Sequence, residues 1–127
     1  MYKPILSLMT LSLSSLLLTS CAAIVVGAVA AVGTYAYMDG WLERDYKTSV
    51  DQAYSACLST CDAMGLTVVE KEKRIDGADI KAKDSSTNVW FDLDQEEDGY
   101  VSISVRYGLT GDEEASRRIH ENIQSRL

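Results

Sequence analysis

At 127 residues the chain has room for one domain, and 46% hydrophobic with 24% charged residues is the balance of a folded protein, not of a disordered tail. A net charge of −7 leaves no basic excess for a nucleic-acid backbone, and it speaks against electrostatic docking on anionic lipid.

Residues 1–20 read as a targeting segment. Lys3 is the one charge of a short leading region, and the serine-punctuated apolar run from Ile5 to Leu18 is too short and too weakly flanked for a permanent span. The run ends in Leu18-Thr19-Ser20-Cys21, which resembles the cleavage and lipidation box of a bacterial lipoprotein: a branched residue, two small ones, then the cysteine that is acylated. Small neighbours leave that sulfur accessible from both sides. The resemblance implies that residues 1–20 are a cleaved lipoprotein signal peptide and that Cys21 carries the lipid anchor. One acyl chain holds a protein only marginally, so the several chains of such lipoproteins are what make release negligible. Cleavage removes Lys3 and no acid, which moves the net charge from −7 to −8. Export places the domain in an oxidising cell envelope. Ala22 stands after the lipid site instead of an aspartate, as in lipoproteins forwarded to the outer membrane and facing the periplasm where the source has two membranes.

Residues 21–33 are expected to form the lipidated N-terminus and an apolar Gly/Ala/Val tether or membrane-apposed segment. Ala23, Gly27 and Ala31 recur at the spacing that lets apolar helices approach closely, which permits self-association. Its valines and glycines fit extended structure equally well, so helix, strand and tether stay open.

Residues 34–127 carry the pattern of a globular domain. Thr34–Met38 and Trp41–Tyr46 flank Asp39-Gly40, a two-residue hairpin signal whose turn needs positive φ at both positions. Val50, Ala53, Tyr54, Cys57, Cys61 and Met64 recur three or four residues apart and predict a helix over 49–64, with Ser49 as N-cap, Gln52 as its capping-box partner and Gly65 as the stop. Four strand-like runs follow: Leu66–Arg74, Asp79–Lys83 after a turn at Asp76-Gly77, Asn88–Asp94, and Tyr100–Tyr107. Their alternation predicts an antiparallel sheet with one covered face. Ala115, Ile119, Ile123 and Leu127 mark a final helix over 112–127, with acids in its first turn. The expected architecture is α+β: a two-layer sandwich in which two helices cover one face of an antiparallel sheet of about five strands.

No constellation of catalytic residues emerges. Cys57 and Cys61 lie on the apolar stripe of a helix, four residues apart, farther than a disulfide spans without distortion. Two buried thiols are the first reading, an intrahelical disulfide the second, and metal ligation the third. The acids Asp92, Asp94, Glu96, Glu97 and Asp98 fail the calcium-loop pattern, since the sixth position is Glu97 and the twelfth Ile103. Alternation assigns Asp92 and Asp94 to a solvated face. His120, beside Arg117, Arg118, Glu121 and Asn122, suggests an exposed helix face without a nucleophile. Trp41 and Trp90 are candidates to line a ligand site, though single aromatics on strands commonly pack a sheet or sit at its edge.

The lipobox, the Gly/Ala/Val stretch ending in Gly33-Thr34-Tyr35-Ala36-Tyr37, the segment Gly40-Trp41-Leu42-Glu43-Arg44-Asp45-Tyr46, the stretch Gly65-Leu66-Thr67-Val68, and the ending Gly111-Asp112-Glu113 with Ser116-Arg117-Arg118-Ile119 together resemble the short bacterial lipoproteins grouped as family 3568 among the domains of unknown function. The resemblance spans nearly the whole chain. It implies acylation of Cys21 and supplies no activity, ligand or cofactor. The expectation is therefore a non-enzymatic, lipid-anchored envelope module that works through contact with an as yet unidentified envelope protein or as a structural part. The alternative is a binder of a small hydrophobic or lipid-like ligand held between helices and sheet.

Overall fold

The computed structural model describes residues 32–127. The signal peptide expected over 1–20, Cys21 and the apolar segment through residue 31 lie outside the described residues.

The described body is α+β. Strands β1 (Ala36–Met38) and β2 (Trp41–Lys47) form the first hairpin, helix α1 (Val50–Ala63) follows, and β3 (Thr67–Lys73), β4 (Gly77–Asp84), β5 (Thr87–Gln95) and β6 (Tyr100–Tyr107) lead to helix α2 (Glu113–Gln124). All neighbours run antiparallel, in the order β1-β2-β6-β5-β4-β3. The sheet thus has six strands and not about five, because the short β1 forms a full edge on β2. Pairing also begins earlier than the expected boundary at 34: Val32 bridges Tyr46, and the Gly33 N–H donates to the Asp45 carbonyl at 2.8 Å.

Local chemistry explains the elements. Asp39 and Gly40 both take positive φ, 53° and 87°, the backbone that a two-residue turn imposes on right-twisted strands. Ser49 Oγ caps α1 by accepting from the Gln52 N–H at 3.2 Å. Only half of the expected capping box forms, since Gln52 Oε1 instead accepts from Thr48 Oγ1 at 3.0 Å. At the other end Gly65 adopts φ 72°, and the Leu66 N–H reaches back to the Cys61 carbonyl at 2.8 Å, closing the helix with a left-handed cap. Asp112 caps α2 through the Ala115 N–H at 3.0 Å.

The turn expected at Asp76-Gly77 works differently. Gly77 is the first residue of β4 and its φ is not positive; the loop closes through Arg74 N–H to the Gly77 carbonyl at 2.8 Å. Glycine is required there because a Cβ would drive into the Leu93 carbonyl oxygen on β5. The sequence position is a contact point between strands, not a flexible joint.

Both helices cover the same face of the sheet. Leu42, Tyr46, Ile80, Val89, Phe91, Leu93, Val101, Ile103 and Val105 alternate along the strands and meet Ala53, Cys57 and Cys61 from α1 and Ile119 and Ile123 from α2, all buried. Each large side chain so removed from water contributes roughly 1.5–3 kcal/mol, which is why period-two alternation fixes the register. Leu127, expected on the α2 stripe, lies beyond the helix and is exposed. At the β3 edge the ladder slips between Val68 and Glu70, a bulge that turns Val69 outward.

Candidate functional site

The second face of the sheet is left open by both helices, and the register arranges its side chains in rows across the strands. Continuing the β2–β6 register by one pair sets Trp41 beside Arg106, which stands opposite Trp90, which stands opposite Lys81, which stands opposite Glu70. Two residues along, a second row reads Glu43, Ser104, Asp92, Asp79 and Glu72. An aromatic and cationic row therefore runs parallel to an acidic one.

Arg106 organises the first row. Its guanidinium donates to the Asp39 carbonyl at 3.1 Å, to the Gly108 carbonyl at 3.4 Å and to the Leu109 carbonyl, and its carbon lies 5.9 Å from the Trp41 ring centroid. It fastens the β6–α2 loop onto the β1–β2 turn. The two segments touch so closely that a Cβ on Gly111, whose φ is 79°, would collide with the Gly40 backbone. Trp41, Trp90, Arg106 and Leu109 surround a depression of about 240 Å³. A neighbouring hollow of about 470 Å³ is lined by Trp41, Trp90, Lys81 and Asp92 among others, and one of about 310 Å³ by Trp41, Met38, Glu43, Asp92 and Ser104. Trp41 is common to all three.

In the acidic row, Asp79 and Asp92 face each other across the β4–β5 pair. Asp92 is half-buried, not solvated as alternation suggested. Burial first, then the Asp94 charge and a hydrogen bond with Asp79, raise its carboxyl to about 6. Arg74 forms an ion pair with Asp79, and its positive charge partly offsets the rise at Asp92. Ser102 Oγ donates to Glu43 Oε1 at 2.7 Å.

His120 is not on an exposed helix face. It is fully buried between β2 and α2. The Leu42 carbonyl, 2.8 Å from Nε2, can only accept, so Nε2 carries the proton and Nδ1 accepts from the Tyr46 hydroxyl at 2.7 Å. Burial lowers its pKa to about 4, and the imidazole is neutral. Tyr35 meets the ring edge-on, and the guanidinium carbons of Arg44 and Arg117 lie 4.3 and 4.6 Å from the Tyr35 ring centroid. This cluster seals a joint between layers.

Cys57 and Cys61 are free, fully buried thiols on the sheet-facing side of α1. Burial pushes both upward, Cys61 to about 11 and Cys57 beyond it. Among the described residues no group of three His, Cys, Asp or Glu side chains is arranged to hold a metal ion. No helix among them is long and apolar enough to cross a membrane. Between helices and sheet, the place of the alternative expectation of a hydrophobic ligand, lie core side chains such as Phe91 and Tyr46.

The family model described as "Protein of unknown function (DUF3568)" matches residues 4–126. The chain belongs to that family. No curated protein matches it. Membership of DUF3568 covers the described body and most of the segment before it, and it carries no assigned activity.

Proposed function

We propose that this DUF3568 protein is a lipid-anchored, non-enzymatic module of the cell envelope that works by contact, with the open face of its sheet as the working surface. Cys21 is its lipidation site. Residues 1–20 are the signal peptide removed beforehand, and the mature protein faces the periplasm from the outer membrane where the source has two membranes. The observation that carries the reading is the Trp41–Arg106–Trp90 row, a preorganised aromatic and polar surface on the side of the sheet that neither helix covers. The lipobox supports the anchor, and the burial of His120 supports the non-enzymatic part.

Two measurements test it together. Cells fed a clickable fatty-acid analogue are expected to label the wild-type chain and not Cys21→Ser. A photocrosslinking residue placed at Leu109, on the rim of the open face, is expected to trap envelope material, while one at Glu121, exposed on α2, traps none. A native polypeptide that keeps Met1 and partitions into water, or crosslinks from Glu121 alone, would overturn the reading.

A further inference from the structure

The layout of the open face points to the chemical class of what it holds. Trp41 and Trp90 lie on β2 and β5 with β6 between them, so their backbones are about 10 Å apart, two interstrand spacings. Both indoles are half-buried and part-exposed, and Arg106 fixes the first of them against a braced loop. Two residues along the strands, the row Glu43, Ser104, Asp92 and Asp79 offers acceptors and one hydroxyl, while Lys81 and Arg106 offer donors. An elongated ligand lying across the strands would meet two flat apolar platforms on one side and a line of hydrogen-bonding groups on the other.

Two ligand classes fail this surface, polyanions and lipid chains. A polyanion meets the acidic row and is repelled. A lipid chain needs an enclosed apolar cavity, whereas these hollows lie on an open sheet face and two of them carry Asp92 with Lys81 or with Glu43 and Ser104 in their walls. A nucleic acid is excluded on the same grounds as a polyanion. A chain of sugar rings matches both rows: its axial C–H groups, slightly positive, lie on the negative faces of indole rings, and its hydroxyls serve as donors and acceptors to carboxylates, serine and lysine.

We propose that the open face binds an uncharged oligosaccharide, with successive rings on Trp41 and Trp90 and hydroxyls hydrogen-bonded to the Glu43–Ser104–Asp92–Asp79 row. This goes beyond the contact reading above by naming the contacted chemistry, and it does not depend on acylation of Cys21.

Trp41 and Trp90 are the two tryptophans of the chain, so tryptophan emission, excited beyond the tyrosine absorption band, reports on this surface. The experiment titrates the full chain, held in a zwitterionic detergent without a sugar headgroup, with cellohexaose and with chitohexaose, and repeats the titration by calorimetry. A saturable emission change with at least one of the two is expected. Trp90→Ala is expected to weaken binding at least tenfold with the unfolding midpoint kept within a few degrees, and Trp90→Phe to restore part of the loss. Binding that survives Trp90→Ala unchanged overturns the proposal, as does silence from both sugars up to millimolar concentration. Preferential binding of hexa-arginine peptide would also overturn it and make the face a surface for basic protein segments. A heparin hexasaccharide bound more tightly than either neutral sugar would overturn it likewise. Fatty-acid labelling of Cys21 with no sugar bound separates failure of this inference from failure of the anchored-module reading.

Discussion

Tyr46 on β2 donates its hydroxyl hydrogen to Nδ1 of His120 on α2 across 2.7 Å, joining strand and helix where both side chains are buried. Because Nε2–H is already committed to the Leu42 carbonyl, the phenol is the partner that satisfies the other nitrogen. Tyr46→Phe keeps the ring volume and leaves Nδ1 unpartnered. It is expected to cost about 1–3 kcal/mol, read as a lower urea midpoint with an unchanged slope.

The same burial makes stability depend on acid. His120 is held near 4 in the fold against about 6.5 in the unfolded chain. The folded form therefore binds fewer protons between those values, and its contribution, complete above 6.5, is lost as pH falls toward 4, by up to about 3 kcal/mol. Asp92 has the opposite sign: its raised carboxyl favours the fold below about 4 and loses that advantage as pH rises through about 6. Asp92→Asn is expected to raise the melting temperature by a few degrees at pH 7.5 and to leave it unchanged at pH 4, where thermal melts of both proteins coincide. A melting curve for Asp92→Asn lower than wild type at pH 7.5 contradicts this account.

Two glycines separate conformational from steric cost. Gly65 needs its φ of 72° and has nothing near a prospective Cβ, so Gly65→Ala is expected to cost about 1 kcal/mol. Gly77 has ordinary φ and no room, so Gly77→Ala must part β4 from β5. It is expected to be the more damaging of the two, by at least about 1–2 kcal/mol, in parallel denaturant titrations.

Cys57 and Cys61 should resist alkylation in the native protein, because burial and raised pKa values suppress the thiolate. Incubation with iodoacetamide at pH 7.5 is expected to leave both unmodified until denaturant is added, after which both react. Intact mass two hydrogens below the reduced value would instead reveal a bridge between them.

Much of this body is legible in the residues, and the exceptions have physical causes. Alternation gave the four strands after α1 to within a residue or two, because one covered face enforces a strict period of two. The Asp39-Gly40 turn was equally plain, since few dipeptides tolerate its φ values. Gly77 misled because glycine serves close approach as well as positive φ, and only the neighbouring strand distinguishes them. His120 was masked by charged neighbours in sequence. Its signal was the spacing: Ser116 and His120 sit one position beyond Ala115 and Ile119, widening the buried stripe of α2. The open face was half-visible, as Trp41, Trp90 and Arg106 each alternate away from the core. That they form one row depends on the strand order β2-β6-β5, which places distant segments side by side and leaves no local trace.

The slip in the ladder at Val69 matters beyond the fold of one molecule. It kinks the outermost strand, and Glu70, Lys71, Glu72 and Lys73 then present alternating charge along its rim. A neighbour arriving in register on that side would meet a kinked rim of mixed charge, which discourages the sheet from growing into a second copy there.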